Sequence, residues 1–311
     1  MSKLISLIIP VYNESKSLAA LHKALSLVLP TLAYDFEIIF VNDGSRDDSV
    51  AEIVKLQNFD NRIKLLDFSR NFGKEIALTA GLNNCVGDAA IMLDADLQHP
   101  VELIPEFIAK WEAGAQVVVG VRAKNSKEGI IKRFGSKIFY GIISKISDTK
   151  ITPNATDFRL VDRVVIDEFN RFTEHSRMTR ALIDWLGFER DTVVFQAAPR
   201  FAGEASYSVC KLIKLALSSF ISLSLLPLKL AGYLGLFIIF TVGPFGLYVL
   251  LGKYFFHWPF ASSFSGPAQL AFLLLFMVGI ILSALGLISL YVASIHGEVI
   301  GRPLYVVKKN K

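Results

Sequence analysis

Ala89-Ala90-Ile91-Met92-Leu93 is followed without a break by Asp94-Ala95-Asp96-Leu97-Gln98, and this junction decides both the fold and the place of the chemistry. A short apolar run bounded by turn residues is typical of a strand that is buried on both faces of a sheet. Two carboxylates, two positions apart, then stand where that strand ends. The junction therefore predicts a buried strand that delivers two acidic side chains to one edge of a sheet.

Similar apolar runs recur along the N-terminal part of the chain and alternate with stretches of helical character. The other predicted strands are Leu4–Pro10, Phe36–Val41, Ile63–Leu66 and Val117–Val121. The predicted helices are Ser17–Leu29, Asp48–Phe59, Glu75–Cys85 and Val101–Trp111. This alternation predicts an α/β fold with a mostly parallel sheet that is covered by helices on both faces. Ser45, with Asp48 three residues later, resembles a capping box at the start of the second helix.

Polar side chains follow three of these strands, at the edge where open α/β sheets bind ligands. Asp94 and Asp96 could hold a divalent cation that grips a diphosphate, although an isolated pair of this kind is more often a solvated turn. Asp43 could accept hydrogen bonds from a base or ribose, or simply cap the next helix. Tyr12 could stack on a base, and Glu14 could bind ribose. The sequence contains no glycine-rich phosphate loop, which argues against dehydrogenases and against common kinases and ATPases.

The composition indicates a membrane protein and not a nucleic-acid-binding one. Of the 311 residues, 52% are apolar and 20% are charged, and the formal net charge is +5. Residues 220–311 hold six Lys or Arg and one Asp or Glu, so the whole positive surplus lies in the apolar C-terminal part. Positive residues that flank apolar segments orient membrane proteins. The two cysteines, Cys85 and Cys210, fit a reducing compartment.

Two apolar segments in the C-terminal part are long enough to span a bilayer, which takes about 20 residues. They lie near 230–251 and 268–295, and basic residues lie outside both ends of the pair. We therefore predict a membrane domain over 229–311 in which two transmembrane helices form a hairpin, followed by a basic tail; a soluble all-helical domain is the alternative. Residues 1–206 form the other domain. We predict a multi-pass protein of the cell (inner) membrane, with this domain and both termini in the cytoplasm.

Two further stretches combine apolar residues at helical spacing with basic residues. They are 124–147, within the first domain, and 207–228, which precedes the first span. We predict that both are amphipathic interfacial helices on the membrane surface. For 124–147 the alternative is a helix that packs on the sheet and leaves its basic face in solvent.

Six short segments occur in order along the chain: Ile9–Glu14 (IPVYNE), Val41–Ser45 (VNDGS), Ser69–Lys74 (SRNFGK), Asp94–Gln98 (DADLQ), Asp157–Leu160 (DFRL) and Gly301–Tyr305 (GRPLY). As a set they resemble the polyisoprenyl-phosphate glycosyltransferases of glycosyltransferase family two, and most of all the bacterial bactoprenol glucosyltransferases. The resemblance implies a Rossmann-like nucleotide-sugar transferase domain, a UDP-sugar donor, Mg²⁺ or Mn²⁺ as cofactor, a polyisoprenyl phosphate acceptor and contact with membrane lipids. It also implies a homo-oligomer, such as a tetramer.

The resemblance implies roles for individual residues as well. Asp94 and Asp96 would bind the metal, and Asp157 matches the usual position of the catalytic base, with Asp96 as the second catalytic residue. The residues that would bind the nucleotide-sugar are Pro10, Tyr12, Glu14, Asp43, Asp94, Ala95, Gln98 and Arg122. Those that would meet the acceptor phosphate are Arg200, Lys137 and Lys211. The chain departs from the family here, because Ser206 stands where relatives often carry a lysine.

The chemistry of the implied acceptor limits what Asp157 has to do. The second pKa of a phosphate monoester is near 6, so the attacking oxygen is largely anionic at neutral pH. A strong general base is then hardly needed, whereas positioning and the neutralisation of two anionic substrates are. We therefore expect Asp157 to orient the acceptor more than to remove a proton from it.

The predicted function is inverting, metal-dependent transfer of glucose from UDP-glucose to undecaprenyl phosphate on the cytoplasmic leaflet. Mannose, N-acetylglucosamine or a modified arabinose are the alternative sugars. A processive polysaccharide synthase is a second alternative, although its usual Gln-x-x-Arg-Trp motif does not occur at Gln196–Phe201. A third is a non-catalytic scaffold or sugar-nucleotide sensor, against which the intact Asp43, Asp94, Asp96 and Asp157 argue.

Overall fold

A computed structural model describes residues 3–123, 155–175, 177–196 and 265–308, with a few single positions between 248 and 259. The chain divides into two units. One comprises Met1–Ser206 with Arg302–Lys311, and the other comprises Tyr207–Gly301. The interfacial stretches predicted at 124–147 and 207–228 lie outside the described residues, as does most of the span predicted near 230–251.

The apolar runs of the first unit pair into a seven-stranded sheet with the order β3-β2-β1-β4-β6-β5-β7. The strands are β1 (Leu4–Val11), β2 (Asp35–Asn42), β3 (Ile63–Asp67), β4 (Ala89–Met92), β5 (Val117–Arg122), β6 (Ala155–Asp162) and β7 (Arg190–Phe195). In this sheet β6 runs antiparallel to both of its neighbours, and all other pairs are parallel. The predicted α/β fold with a mostly parallel sheet is confirmed, but β6 and β7 have no counterpart among the predicted strands.

Helices cover both faces of this sheet, which explains why its central strands are mostly apolar; the buried Ser6 and Glu37 are exceptions, and their side chains hydrogen-bond to each other. In β1, Ile5, Leu7 and Ile9 pack into the core on one face, and Ile8 packs into the core on the other. The first core receives α1 (Ser15–Val28), α2 (Ser49–Gln57) and α4 (Ile104–Glu112). The second receives α3 (Lys74–Asn84), α5 (Arg163–Phe169) and α6 (Thr179–Trp185).

The start of α2 corrects one sequence prediction. No capping box forms at Ser45, because the Ser45 hydroxyl accepts a hydrogen bond from the backbone N–H of Asn13 at 3.0 Å. The helix begins later, at Ser49. There the Asp47 carboxylate accepts the backbone N–H of Ser49 at 3.1 Å and its hydroxyl at 2.6 Å. Ser45 therefore ties two loops together and does not start a helix.

The C-terminal segment groups with the first unit, whereas the predicted membrane domain of 229–311 stays a prediction. Phe68 and Val307 form an antiparallel bridge, and the backbone N–H of Ser69 donates to the Val306 carbonyl at 2.9 Å. The ring of Tyr305 stacks on that of Phe68 with centroids 5.1 Å apart. The physical reason is that β3 lies at the edge of the sheet, where backbone groups lack a neighbouring strand.

The second unit contains α7 (Gly266–Val299), which is followed by Gly301 with a φ of 63°, a left-handed conformation that favours glycine. Some side chains of α7 are not described. Taken over the described residues alone, no helix is both long enough and apolar enough to cross a membrane. The predicted transmembrane hairpin is therefore still a prediction.

Candidate active site

Several of the predicted site residues lie at the edge formed by the carboxyl ends of the parallel strands. Tyr12 and Glu14 follow β1, Asp43 follows β2, and Asp94 follows β4. Asp157 reaches the same edge because β6 is antiparallel, so its first residues lie where the other strands end. In the β4–β6 ladder Met92 pairs with Arg159. Continuing that register by two residues places Asp94 opposite Asp157.

Lys74, which is not among the predicted site residues, joins these two carboxylates. The Lys74 Nζ lies 2.5 Å from Asp94 Oδ1 and 2.7 Å from Asp157 Oδ2. Burial disfavours the charge on Lys74, but the two carboxylates outweigh it and raise the pKa of the ammonium group. Burial likewise raises the pKa of Asp157, yet Lys74 outweighs that effect, and the pKa lies below its ordinary value. Lys74 and Asp157 are therefore both held charged at neutral pH.

One local signal could have revealed Lys74. It is the first residue of α3, directly after Gly73. The positive end of the helix dipole makes an N-terminal position unfavourable for a lysine. A lysine in that place therefore indicates compensating acidic groups nearby, although the sequence does not say which ones.

The turn that carries Asp94 and Asp96 is held by its own backbone and by His99. Leu97 has a φ of 59°, which is rare for a bulky residue and is typical of strained functional loops. The backbone N–H of Gln98 donates to Asp96 Oδ1 at 3.1 Å, and that of Asp94 donates to His99 Nδ1 at 3.1 Å. The His99 ring stacks on that of Phe158 with centroids 5.1 Å apart. His99 thus stabilises the turn through this hydrogen bond, while its ring packs on Phe158.

Burial also fixes the protonation of His99. It lowers the pKa of the imidazole, although nearby Asp94 opposes the shift. Because Nδ1 accepts a hydrogen bond, the proton of the neutral ring is assigned to Nε2, which lies 3.9 Å from Asp94 Oδ2. Within this turn Ala95 is buried, and Arg122 at the end of β5 donates to the Gln98 side chain at 3.4 Å.

The loops after β1 and β2 are joined to each other by hydrogen bonds. Asn13, with a φ of 56°, accepts the backbone N–H of Arg46 at 2.8 Å through its side chain. The backbone N–H of Glu14 donates to the Ser49 hydroxyl at 3.0 Å. Pro10 lies within β1, and the Tyr12 side chain is 45% exposed. Tyr12 is therefore accessible to a planar ligand, as its predicted role requires.

Asp43 has a structural task in addition to the role predicted for it. Its carboxylate is buried and accepts the backbone N–H groups of Phe72 at 2.6 Å and Gly73 at 3.0 Å. Burial raises its pKa, although these two amides oppose the shift. Glycine at position 44 allows the loop after β2 to approach the loop 69–73 closely, because a Cβ atom at Gly44 would lie 2.4 Å from the Arg70 carbonyl carbon. Asp43 and Gly44 thus hold the loop 69–73 that leads into Lys74.

Arg159 of the DFRL segment connects β6 to α6. Its side chain is fully buried and pairs with Asp184 of α6 at 2.9 Å. The guanidinium also donates to the backbone carbonyls of Thr156 at 3.1 Å and Arg180 at 3.3 Å. The pair fixes the strand that carries Asp157 against α6. A buried ion pair of this kind is costly to break because either partner alone would be an uncompensated charge.

The profile of glycosyl transferase family 2 matches residues 6–169, which run from β1 to the end of α5. The chain belongs to this family. It is therefore a glycosyltransferase. The chain is 38% identical over 303 residues to an uncharacterized glycosyltransferase, sll0501, of Synechocystis, and the alignment covers 97% of this chain and 94% of that one.

Other relatives extend this likeness over the full length of the glycosyltransferase. A prophage-derived bactoprenol glucosyl transferase of Shigella flexneri is 37% identical over 306 residues, and the alignment covers 98% of both chains. Among solved structures, mannosyl-3-phosphoglycerate synthase of Rubrobacter xylanophilus has a TM-score of 0.50 at 12% identity, with 69% of this chain and 70% of that one covered. At that identity the structural likeness shows the fold alone.

The donor set of the glycosyltransferase fits a divalent metal that is shared with a substrate. Within the described ranges, no group of three or more His, Cys, Asp or Glu residues could hold a metal by itself. Asp94 and Asp96 nevertheless supply two hard carboxylates on one turn. Mg²⁺ is usually held by one or two carboxylates, with substrate phosphates and water completing its shell.

The three residues predicted to bind the acceptor phosphate lie outside the described residues; they are Lys137, Arg200 and Lys211.

Proposed function

We propose that this glycosyltransferase transfers glucose from UDP-glucose to undecaprenyl phosphate, or a similar polyisoprenyl phosphate, with inversion at the anomeric carbon. The observation that carries the proposal is the meeting of Asp94 and Asp157 around Lys74 at one edge of the sheet, with Asp96 on the same turn as Asp94. The relative named bactoprenol glucosyl transferase, aligned over 98% of both chains, supports a lipid phosphate as acceptor and glucose as the sugar.

In this proposal Asp94 and Asp96 hold Mg²⁺ or Mn²⁺ together with the donor diphosphate. When bound, such an ion would neutralise the diphosphate and stabilise the departing UDP. Tyr12, Glu14 and the loop held by Asp43 would bind the uridine half of the donor, and Gln98 with Arg122 would bind beside the diphosphate. These residues orient the donor so that its anomeric carbon faces Asp157.

Asp157 and Lys74 act on the acceptor side of the reaction. Lys74 lowers the pKa of Asp157, so this carboxylate is a weak base at neutral pH. The phosphate acceptor is itself largely anionic and needs little help to lose a proton. Asp157 therefore positions the acceptor. The positive charge of Lys74 lies beside the carboxylates of Asp94 and Asp157. It reduces the repulsion between these carboxylates and the two anionic substrates.

A lipid acceptor makes the membrane part of the substrate path. The proposed spans near 230–251 and 268–295, together with interfacial helices at 124–147 and 207–228, would keep the site beside the headgroups. The product, a polyisoprenyl-phosphate glucose, would then form on the cytoplasmic leaflet of the inner membrane.

The proposal is tested with the purified full chain, undecaprenyl phosphate, Mg²⁺ and a panel of UDP- and GDP-sugars. We expect UDP-glucose to give a glycolipid that carries one sugar. Preference for UDP-N-acetylglucosamine, GDP-mannose or a modified arabinose donor would contradict the choice of glucose. A polymeric product would indicate a processive synthase. Failure of every donor to release its nucleoside diphosphate, UDP or GDP, would contradict catalysis.

A further inference from the structure

The first turn of α6 is tied to the start of α3, at the edge of the sheet that carries the site. The backbone N–H of Thr179, the first residue of α6, donates to the Glu75 carboxylate at 2.7 Å. Glu75 directly follows Lys74, whose Nζ lies 2.7 Å from Asp157 Oδ2. Arg180 is the second residue of α6. The fold therefore brings a second basic residue to the end of α6 that lies nearest the site.

The contacts between α6 and β6 show which face of the helix Arg180 shares. Asp184 lies four residues after Arg180, on the same face of α6. It pairs with Arg159 of β6 at 2.9 Å, and Arg159 Nη1 also donates to the Arg180 carbonyl at 3.3 Å. Asp157 lies two residues before Arg159, on the same face of the strand.

Arg180 and Asp157 therefore lie on facing sides of α6 and β6. Arg180 precedes Asp184 by about 6 Å along the helix, and Asp157 precedes Arg159 by about 7 Å along the strand. Both displacements lead from the buried Arg159–Asp184 pair towards the edge of the sheet where Asp157 meets Lys74.

Arg180 is a cation beside Asp157 that can take a further anion. Burial raises the pKa of Asp157, but Lys74, Arg180 and Arg159, in that order, outweigh burial. Of these three cations, Lys74 already contacts two carboxylates, and Arg159 is fully buried and paired with Asp184. The Arg180 guanidinium makes neither an ion pair nor a hydrogen bond to any described residue, and Arg180 is partly exposed.

The chemistry of the reaction requires such a cation. An acceptor phosphate that reacts beside Asp157 would be repelled by this carboxylate, because both groups are anionic at neutral pH. A guanidinium group has a planar fork of donors that matches phosphate oxygens and stays charged at any working pH. Arg180 is placed by α6 and β6 and not by the turn after β4, which carries the proposed donor site. The acceptor is therefore the anion that Arg180 fits.

We propose that Arg180 binds the phosphate of the lipid acceptor and holds its attacking oxygen beside Asp157. The assignment rests on the proposed function, since it names a further residue of that same site. It adds to the acceptor-phosphate residues implied by the resemblance a residue whose place is fixed by contacts between α6 and β6.

The test separates binding of the acceptor from binding of the donor. The variants are Arg180→Gln and Arg180→Lys, and Arg171→Gln is the matched control, because Arg171 is an exposed arginine that pairs with Glu168. The purified full chain is titrated in detergent with undecaprenyl phosphate, undecaprenol and phosphatidylglycerol. Steady-state rates give the KM for the lipid phosphate and the KM for UDP-glucose. Thermal unfolding of each variant checks that it is folded.

We expect Arg180→Gln to weaken the binding of undecaprenyl phosphate about tenfold and to raise its KM to the same extent, because a charge-assisted hydrogen bond is lost. Binding of undecaprenol, which lacks the phosphate, and the KM for UDP-glucose should change less than about twofold. Arg180→Lys keeps the charge but not the planar fork, so it should recover part of the loss. Arg171→Gln should behave as the parent does.

A KM for undecaprenyl phosphate like that of the parent, in folded Arg180→Gln, would overturn the assignment. A raised KM for UDP-glucose alone would also overturn it, because Arg180 would then bind the donor. Equal weakening of undecaprenol or phosphatidylglycerol binding would do the same, since the effect would not depend on the acceptor phosphate. If the parent binds undecaprenyl phosphate through Arg180 but no donor gives a glycolipid, the proposed function fails and the assignment of Arg180 stands.

Discussion

Lys74 is the residue on which the electrostatics of the site depend. Asp94 and Asp157 would repel each other across the sheet edge without a cation between them. Lys74 lies within 2.7 Å of both carboxylates. A metal ion that binds to Asp94 must compete with this ammonium group, because both are attracted to the same oxygen atoms. Lys74 should therefore favour catalysis and oppose metal binding at the same time.

Replacing Lys74 separates these two effects. We expect Lys74→Met to lower the transfer rate by about 100-fold, and to tighten Mn²⁺ binding without donor by about tenfold because a competing charge is gone. Lys74→Arg keeps the charge and should leave Mn²⁺ binding close to that of the parent. Electron paramagnetic resonance of Mn²⁺ titrations measures the affinity. Weaker Mn²⁺ binding in Lys74→Met would contradict competition between lysine and metal.

The two aspartates Asp157 and Asp96 should respond differently to removal of their charge. A general base contributes about 10²- to 10⁴-fold to a rate. If Asp157 only positions the acceptor, Asp157→Asn should keep more than about 1% of the parent rate, whereas Asp96→Asn should lose nearly all of it. Steady-state rates at saturating lipid and donor provide the comparison. Equal collapse of both variants, with substrate binding intact, would show that Asp157 is a base.

The pH profile supplies an independent check on Asp157. Its pKa is lowered, so the carboxylate stays charged as the pH falls through the usual range of an aspartic acid. A loss of rate near pH 6 should instead follow protonation of the acceptor phosphate. The same loss should therefore persist in Asp157→Asn.

At the scale of elements, the loop 69–73 depends on a close approach to the loop after β2. Gly44 has a φ of 66°, and a Cβ there would meet the Arg70 backbone at 2.4 Å. Gly114 has a φ of 110° with no atom within 4 Å of such a Cβ, so it is a control for backbone strain alone. We expect Gly44→Ala to cost about 2 kcal/mol more in the free energy of unfolding than Gly114→Ala, and to raise the KM for donor as well.

Chemical unfolding and initial rates measure these two effects. Equal destabilisation by the two substitutions, with the same KM for donor, would contradict a role for contact between the loops. Displacement of loop 69–73 should also reduce the Lys74–Asp157 interaction, because Lys74 follows the loop directly.

Sequence patterns are sufficient to predict some of the strands and site residues, but not all of them. The first five strands and the aspartates after β2 and β4 are predictable, because apolar runs and the residues that end them are local signals. β6 is not, since Arg159 interrupts its apolar character, and its buried partner Asp184 is known only after folding. The link from Lys74 to Asp157 and the pairing of Phe68 with Val307 are equally non-local. Only tertiary structure brings these residues together.

At the scale of the whole molecule, the chain after Gly301 returns to the first unit. Lys308 donates its backbone N–H to the Asp67 carbonyl at 2.8 Å and places its Nζ 2.9 Å from the Asp67 carboxylate. The last described residues thus extend the edge of the sheet beside the SRNFGK segment. If the proposed spans are correct, this return requires the C-terminus to lie on the same side of the membrane as the sheet.

Membrane topology is tested with reporters fused to the full chain. We expect a fluorescent protein at the C-terminus to be bright, which requires a cytoplasmic location, and alkaline phosphatase inserted after Lys253 to be active, which requires an outside location. The chain should also stay in the membrane pellet after alkaline carbonate extraction. Release of the full chain by carbonate, or an inactive phosphatase at Lys253 together with active phosphatase at the C-terminus, would contradict the two-span arrangement.

The most direct test concerns the two carboxylates after β4 and the ion that they are proposed to share with the donor. Labelled glucose transfer from UDP-glucose to undecaprenyl phosphate is measured with the purified chain after chelation of all divalent ions, and again after Mg²⁺ is restored. We predict that glycolipid formation stops on chelation, recovers with Mg²⁺ in the parent, and does not recover in Asp96→Asn. Full turnover in the presence of the chelator would contradict the proposal.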